Sequence, residues 1–175
     1  SYKCYQFKKN NMYDYDIGYK YGKRLAELLK TLHYCEYPKY VKLENGDLPS
    51  TPTWKAFPTP VENTTKLETE EGESKEAKVE GGEVIATRKN VSKYKLEFEI
   101  YETDDLTAPI PDNDGIVLDQ YAVRLTPENT SAKGFIIDRA SVSVVRTWDS
   151  ENGGKIKYTF TALKPKTGKM LKQYS

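Results

Sequence analysis

"KVEGGEVIATRKNVSKYKLEFEIYE", residues 78–102, decides the fold. In its second half Tyr94, Leu96, Phe98 and Ile100 stand between Lys93, Lys95, Glu97 and Glu99. Successive side chains of a strand point to opposite faces, so this period of two gives one apolar face and one charged face. A helix would scatter the four apolar residues around its axis. The first half is acidic, with Gly81 and Gly82 set between Glu80 and Glu83. These glycines are expected to end a mobile acidic loop and turn the chain into the strand.

The same period recurs on both sides. Tyr121, Val123 and Leu125 alternate with Ala122 and Arg124, and Ile156, Tyr158, Phe160 and Ala162 alternate with lysines and threonines. "ASVSVVRTW", residues 140–148, alternates at Val142 and Val144 and then slips at Val145, which predicts a β-bulge there. "DSENGG", residues 149–154, has the composition of a hairpin loop, and residues 103–115 and 126–134 are the other connections. The reading is a mainly β chain of about six to eight antiparallel strands. Sheets with one oily face must close on themselves to hide it, so an antiparallel β-sandwich or barrel is expected.

Before this domain, Tyr21, Leu25, Leu28, Leu29 and Leu32 fall at helical spacing, with Asp16 as a cap and Pro38 beyond the end. Lys20, Lys23, Arg24 and Lys30 occupy the rest of the surface. This predicts one flanking α-helix near the N-terminus, covering the open face of a sheet. The chain thus divides into an N-terminal helical arm, 1–37, and a β-domain, 38–175. Within the latter, "NGDLPSTPTWKAFPTP", residues 45–60, carries Pro49, Pro52, Pro58 and Pro60. Proline fixes φ and removes a donor, so this segment should lace across the body, anchored by Trp54 and Phe57. Residues 62–83 hold eight glutamates against three lysines and read as an extended, exposed acidic loop or ribbon.

The totals exclude several function classes. Of 175 residues 37% are hydrophobic and 30% charged, with a net charge of +1, so neither nucleic acid nor a membrane surface is the evident partner. No apolar run is long enough to span a bilayer, and the polar N-terminus does not read as a secretory signal. With one histidine, nucleophilic catalysis would have to use His33, and His33 with Cys4 and Cys35 falls short of a zinc set. The two cysteines are read as free thiols. Glu97 and Glu99 share a strand face at a spacing glycosidases also use, but solvated strand-face charges are the commoner case. "DNDG", residues 112–115, lacks the flanking ligands of a calcium loop and reads as a turn. "EGGE" is no phosphate cradle, since its glutamates would repel phosphate. The expectation is a protein that is not an enzyme, with no catalytic, cofactor-binding or metal-ligating residues and no cofactor.

Charge is uneven along the chain. Residues 1–42 hold nine Lys/Arg against four Asp/Glu, and residues 155–172 hold six lysines and no acid. An acidic middle and basic ends can be satisfied by each other on a neighbouring copy, a heterologous contact that closes into rings or runs on as filaments.

The order of pieces carries a resemblance. A Pro-rich lead with "STPTW" precedes "NTTKLETEEGESKEAKVEGGE", then the strand "YKLEFEIYE", then a last hairpin ending "KYTFTALKPKTGKML". Over roughly residues 40–172 this resembles the tail tube proteins of long-tailed bacteriophages, and more distantly the tube component of type VI secretion. The resemblance implies a virion protein, made in the host bacterial cytoplasm. Copies of it would form stacked hexameric rings by continuing the sheet from subunit to subunit. Its partners would be itself, other tail proteins, and DNA passing through the lumen without specific binding, with no membrane. A long hairpin or loop in this family reaches a neighbouring subunit, and residues 62–83 match it in place and character. Removing residues 66–80 is therefore expected to leave the fold and abolish polymerisation. The tyrosine-rich N-terminal arm departs from the family pattern, in which strands open the chain. The alternative reading is a secreted or surface β-sandwich that binds glycan or protein through an exposed cluster of its 14 tyrosines.

Overall fold

The computed structural model describes residues 38–127 and 132–174. The helical arm at 1–37, with His33, Cys4 and Cys35, lies outside the described residues. What is described is mainly antiparallel β, with no helix. Ten strands follow one another: β1 (Lys39–Lys42), β2 (Lys55–Ala56), β3 (Lys66–Glu70), β4 (Ser74–Lys78), β5 (Val84–Lys89), β6 (Lys93–Glu102), β7 (Tyr121–Leu125), β8 (Gly134–Asp149), β9 (Gly153–Ala162) and β10 (Leu171–Tyr174). Eight form one sheet in the order β2-β1-β7-β8-β9-β6-β3, with β10 pairing β8 beside that path, and β4-β5 form a separate two-stranded ribbon.

The alternation in residues 93–102 falls where the sequence puts it. Leu96, Phe98 and Ile100 are fully buried, and opposite them on β9 lie Phe160, Tyr158 and Ile156. The next rung out is Val142 and Val144 on β8. Three neighbouring strands thus turn the same parity inward, and their apolar side chains form one continuous core. The expected bulge at Val145 is not there. β8 and β9 stay in register from Ala140↔Ala162 to Asp149↔Gly153. Val145 is simply an apolar residue on the outer face, and alternation read from polarity alone mistook it for a slip. The irregularity lies instead in the β7–β8 pairing, between Tyr121 and Val123.

The proline-broken segment supplies the centre of the core. Phe57 is 2% exposed, and its ring lies 4.5 Å from Tyr40, 4.9 Å from Phe98, 5.3 Å from Tyr158 and 5.9 Å from Phe160. The Phe57 amide donates to the Pro38 carbonyl at 2.8 Å, which fixes the ring's entry. Trp54 stays half-buried, with the Arg124 guanidinium 5.0 Å above its ring. Past Pro60 the chain joins β6: the Val61 amide donates to the Glu99 carbonyl at 2.7 Å, and the Thr64 hydroxyl accepts from the Glu99 amide at 3.1 Å. The connection between β6 and β7 also contributes. Ile110 is fully buried, and the Tyr40 hydroxyl donates to the Pro109 carbonyl at 2.9 Å.

Tyr158 is fully buried and its hydroxyl has no hydrogen-bond partner. Burial pushes its pKa up to about 12. An acid whose folded pKa is raised contributes stability that is complete below its unfolded pKa and is lost as pH rises through the folded one. Tyr158 should therefore destabilise the protein progressively between about pH 10 and about pH 12. Tyr158→Phe is expected to raise unfolding stability by about 1 kcal/mol at neutral pH and to lessen the alkaline decline, of which Tyr40 and Tyr121, also raised by burial, keep a share. Urea midpoints at pH 7 and pH 11 measure both.

Candidate functional site

Among the described residues no group of three His, Cys, Asp or Glu could hold a metal. No helix among them is long and apolar enough to cross a membrane. Glu97, half of the carboxylate pair considered above, lies 3.6 Å from the Lys66 ammonium and 3.5 Å from that of Lys157. It is 14% exposed and works as the middle of a charge ladder across β3, β6 and β9. The outer face of these strands and β8 carries Lys95, Glu97, Glu99, Lys157, Thr159, Thr161, Ser141 and Ser143, a mixed and largely self-neutralised surface.

The "DNDG" stretch is the turn its sequence suggests. Asn113 and Ile116 exchange both backbone hydrogen bonds at 2.8 and 2.9 Å, and Asp114 and Gly115 have φ of 48° and 85°. Two consecutive positive φ values define the hairpin turn that Asp-Gly favours. A Cβ at Gly115 would lie 2.9 Å from the Val144 carbonyl oxygen, so glycine also lets the turn abut β8. Asp112, whose side chain is 4% exposed, receives two bonds from Arg146 at 2.7 and 2.8 Å and one from the Gly115 amide at 2.9 Å. The Arg146 guanidinium, then the amide, hold its carboxyl down to about 2. A depressed carboxyl contributes stability that is present above its unfolded pKa and lost as pH falls through the folded one, here between about pH 4 and about pH 2. Arg146 is partly exposed, so solvent discounts the pair. Asp112→Asn is expected to cost about 1–2 kcal/mol at pH 7 and nothing below pH 2, as thermal melts across that range would measure.

The acidic segment 62–83, expected as an exposed loop or ribbon, is in part a strand of the main sheet and in part ribbon. Lys66–Glu70 is a strand of the main sheet, paired with β6 from Lys66↔Glu97 to Glu70↔Lys93. Deleting 66–80, expected from the sequence to leave the fold, would therefore remove a strand of the main sheet as well as the extension. The remainder is ribbon: β4 and β5 pair from Ser74↔Lys89 to Lys78↔Val84, with Ile85 as the extra residue at a bulge. Gly81 and Gly82, with φ of 98° and 85°, make its tip and do not lead into the long strand. Every residue of both strands is exposed. At the tip Val79, Val84 and Ile85 stand in solvent, Ile85 at 63%, beside Glu76, Glu80 and Glu83. A two-stranded ribbon with no core of its own is marginal in water, and Lys75 directly opposite Arg88 weakens it further.

Among the described residues, β3 and β2 end the main sheet, and β10 pairs only β8. β8 runs past β7, and beyond the isolated bridge Ile116↔Ser143 its Val145–Asp149 stretch is paired on the β9 side only. Among the described residues, Leu118 at 91% and Trp148 at 75% exposure are the most exposed large apolar side chains. The ribbon's composition is visible in the sequence, but the open edges are not, because an edge is defined by the absence of a partner strand. Compared with known proteins, the chain matches no family model and no curated protein.

Proposed function

We propose that the chain is a structural subunit that assembles with copies of itself into a tube of the phage tail type, with no catalytic role. The carrying observation is the β4–β5 ribbon, exposed on both faces and apolar at its tip. Such an element gains stability when a neighbour covers it. At both ends of the main sheet the outer edge has no partner strand among the described residues, which supports the same reading, since such edges are the means by which one sheet continues into the next subunit. We read the sheet as closing into a sandwich-like body within a hexameric ring. Its mixed Lys/Glu/Thr face would line a lumen past which DNA slides, because phosphate binds tightly only where cations are left unbalanced. The setting would be a virion, and other tail proteins would contact the ends of the tube.

A glycan- or protein-binding module would need an exposed aromatic platform. Tyr40, Tyr121 and Tyr158 are instead core residues. Tyr101 and Trp148, both exposed, fall on opposite faces of the sheet by strand alternation. Negative-stain electron microscopy of the purified chain over a range of concentration and salt tests the proposal. Rings or tubes are expected, with six-fold symmetry in end views. A monodisperse monomer at every concentration would overturn it.

A further inference from the structure

A groove of about 670 Å³ opens between β3 and β10, floored by Leu67, Phe135 and Leu171 and rimmed by Lys133, Lys169 and Lys172. The three floor residues pack against the core from its edge. Among the described residues, the strands on either side each have one edge without a partner strand. Lys172 is engaged by Asp138, while Lys133 and Lys169 stand exposed at the mouth. The same chain offers the complement elsewhere. The ribbon tip presents Val79, Val84 and Ile85 between Glu76, Glu80 and Glu83, with Lys78 the one cation among residues 76–83.

We propose that this groove is the receptor for the β4–β5 tip of a second copy. The tip's apolar side chains would cover Leu67, Phe135 and Leu171, and its glutamates would meet Lys133 and Lys169. Groove and tip are different surfaces of one chain, so the contact is heterologous and propagates from copy to copy. It rests on the self-assembly reading and adds the site that receives the ribbon. Opposite charge alone would be weak at an exposed rim. Joined to apolar burial and to strand edges without partners, it fixes both orientation and choice of partner.

Charge exchange tests it on the full chain. Lys133→Glu/Lys169→Glu and Glu80→Lys/Glu83→Lys alter only exposed side chains, and circular dichroism should show both folded. Each double variant alone is expected to raise the concentration needed for assembly, read by sedimentation, at least about tenfold. Equimolar mixing should restore assembly, because the reversed rim then meets the reversed tip on a different copy. Assembly of either variant at the unmodified threshold would overturn the inference and leave the tube reading standing. Failure of the mixture to recover would also overturn it, assigning the groove to some other occupant, such as the chain's own residues 1–37. A monomeric unmodified protein would overturn both.

Discussion

Phe98→Asp is expected to yield no soluble folded protein. Phe98 is fully buried, with the Phe57, Tyr158 and Phe160 rings 4.9, 5.9 and 5.8 Å from its own. A carboxylate there would have no cation, and an isolated buried charge costs more than a domain's whole stability of about 5–15 kcal/mol unless it is protonated. Even protonated, the shorter side chain leaves a cavity of the kind that makes Phe→Ala cost about 3–5 kcal/mol. Phe57→Ala is the graded companion. It removes the ring that four aromatic neighbours share but adds no charge, so it should lower stability by that same 3–5 kcal/mol while leaving a folded protein at low temperature. Expression, gel filtration and urea denaturation of the two variants provide the comparison. A soluble, cooperatively melting Phe98→Asp protein would mean that the core is not continuous across β6 and β9.

Removal of the ribbon should have the opposite signature: intact fold, lost assembly. The boundary follows from the base of the hairpin. A Cβ on Gly72 would fall 1.9 Å from the Asn90 carbonyl oxygen, so the two chain segments are in contact there. Residues 73–89 can therefore be excised and Gly72 joined to Asn90 with little strain, leaving β3 paired with β6. No residue of β4 or β5 belongs to the core, so stability should change by less than about 1 kcal/mol. Polymers seen by electron microscopy should disappear at concentrations where the full chain forms them. A shortened chain that still builds tubes would remove the ribbon from the assembly mechanism and shift attention to the strand edges.

Strand parity was legible where one face is buried. In residues 94–100 and 156–162 water and core sort the side chains by polarity, so period two appears directly in the residues. Val145 misled because an apolar residue on a solvent face looks, in one dimension, like a change of register. Residues 62–83 misled in another way: an edge strand with only one half-buried side chain in five, Leu67, carries no alternation signal and resembles a loop. Ile110 and Pro109 gave no sign of their role, since a plug in an irregular connection has no period to betray it. The Asp112 turn was readable from Asp-Gly chemistry, whereas its bond to Arg146 spans 34 residues and depends on where β8 runs.

By itself, then, the sequence determined the antiparallel β character, the inward faces of β6 and β9, the hairpin loop at 149–154 and the turn at 112–115, and the exposed nature of the acidic stretch. These follow from local polarity and backbone preference, which act over a few residues. Only the tertiary structure decided that Phe57 is the hub, that β3 belongs to the main sheet, and that an apolar, lysine-rimmed groove lies between β3 and β10. Each of these depends on which distant segments become neighbours, a choice set by burial of the whole core and not by any short stretch of chain.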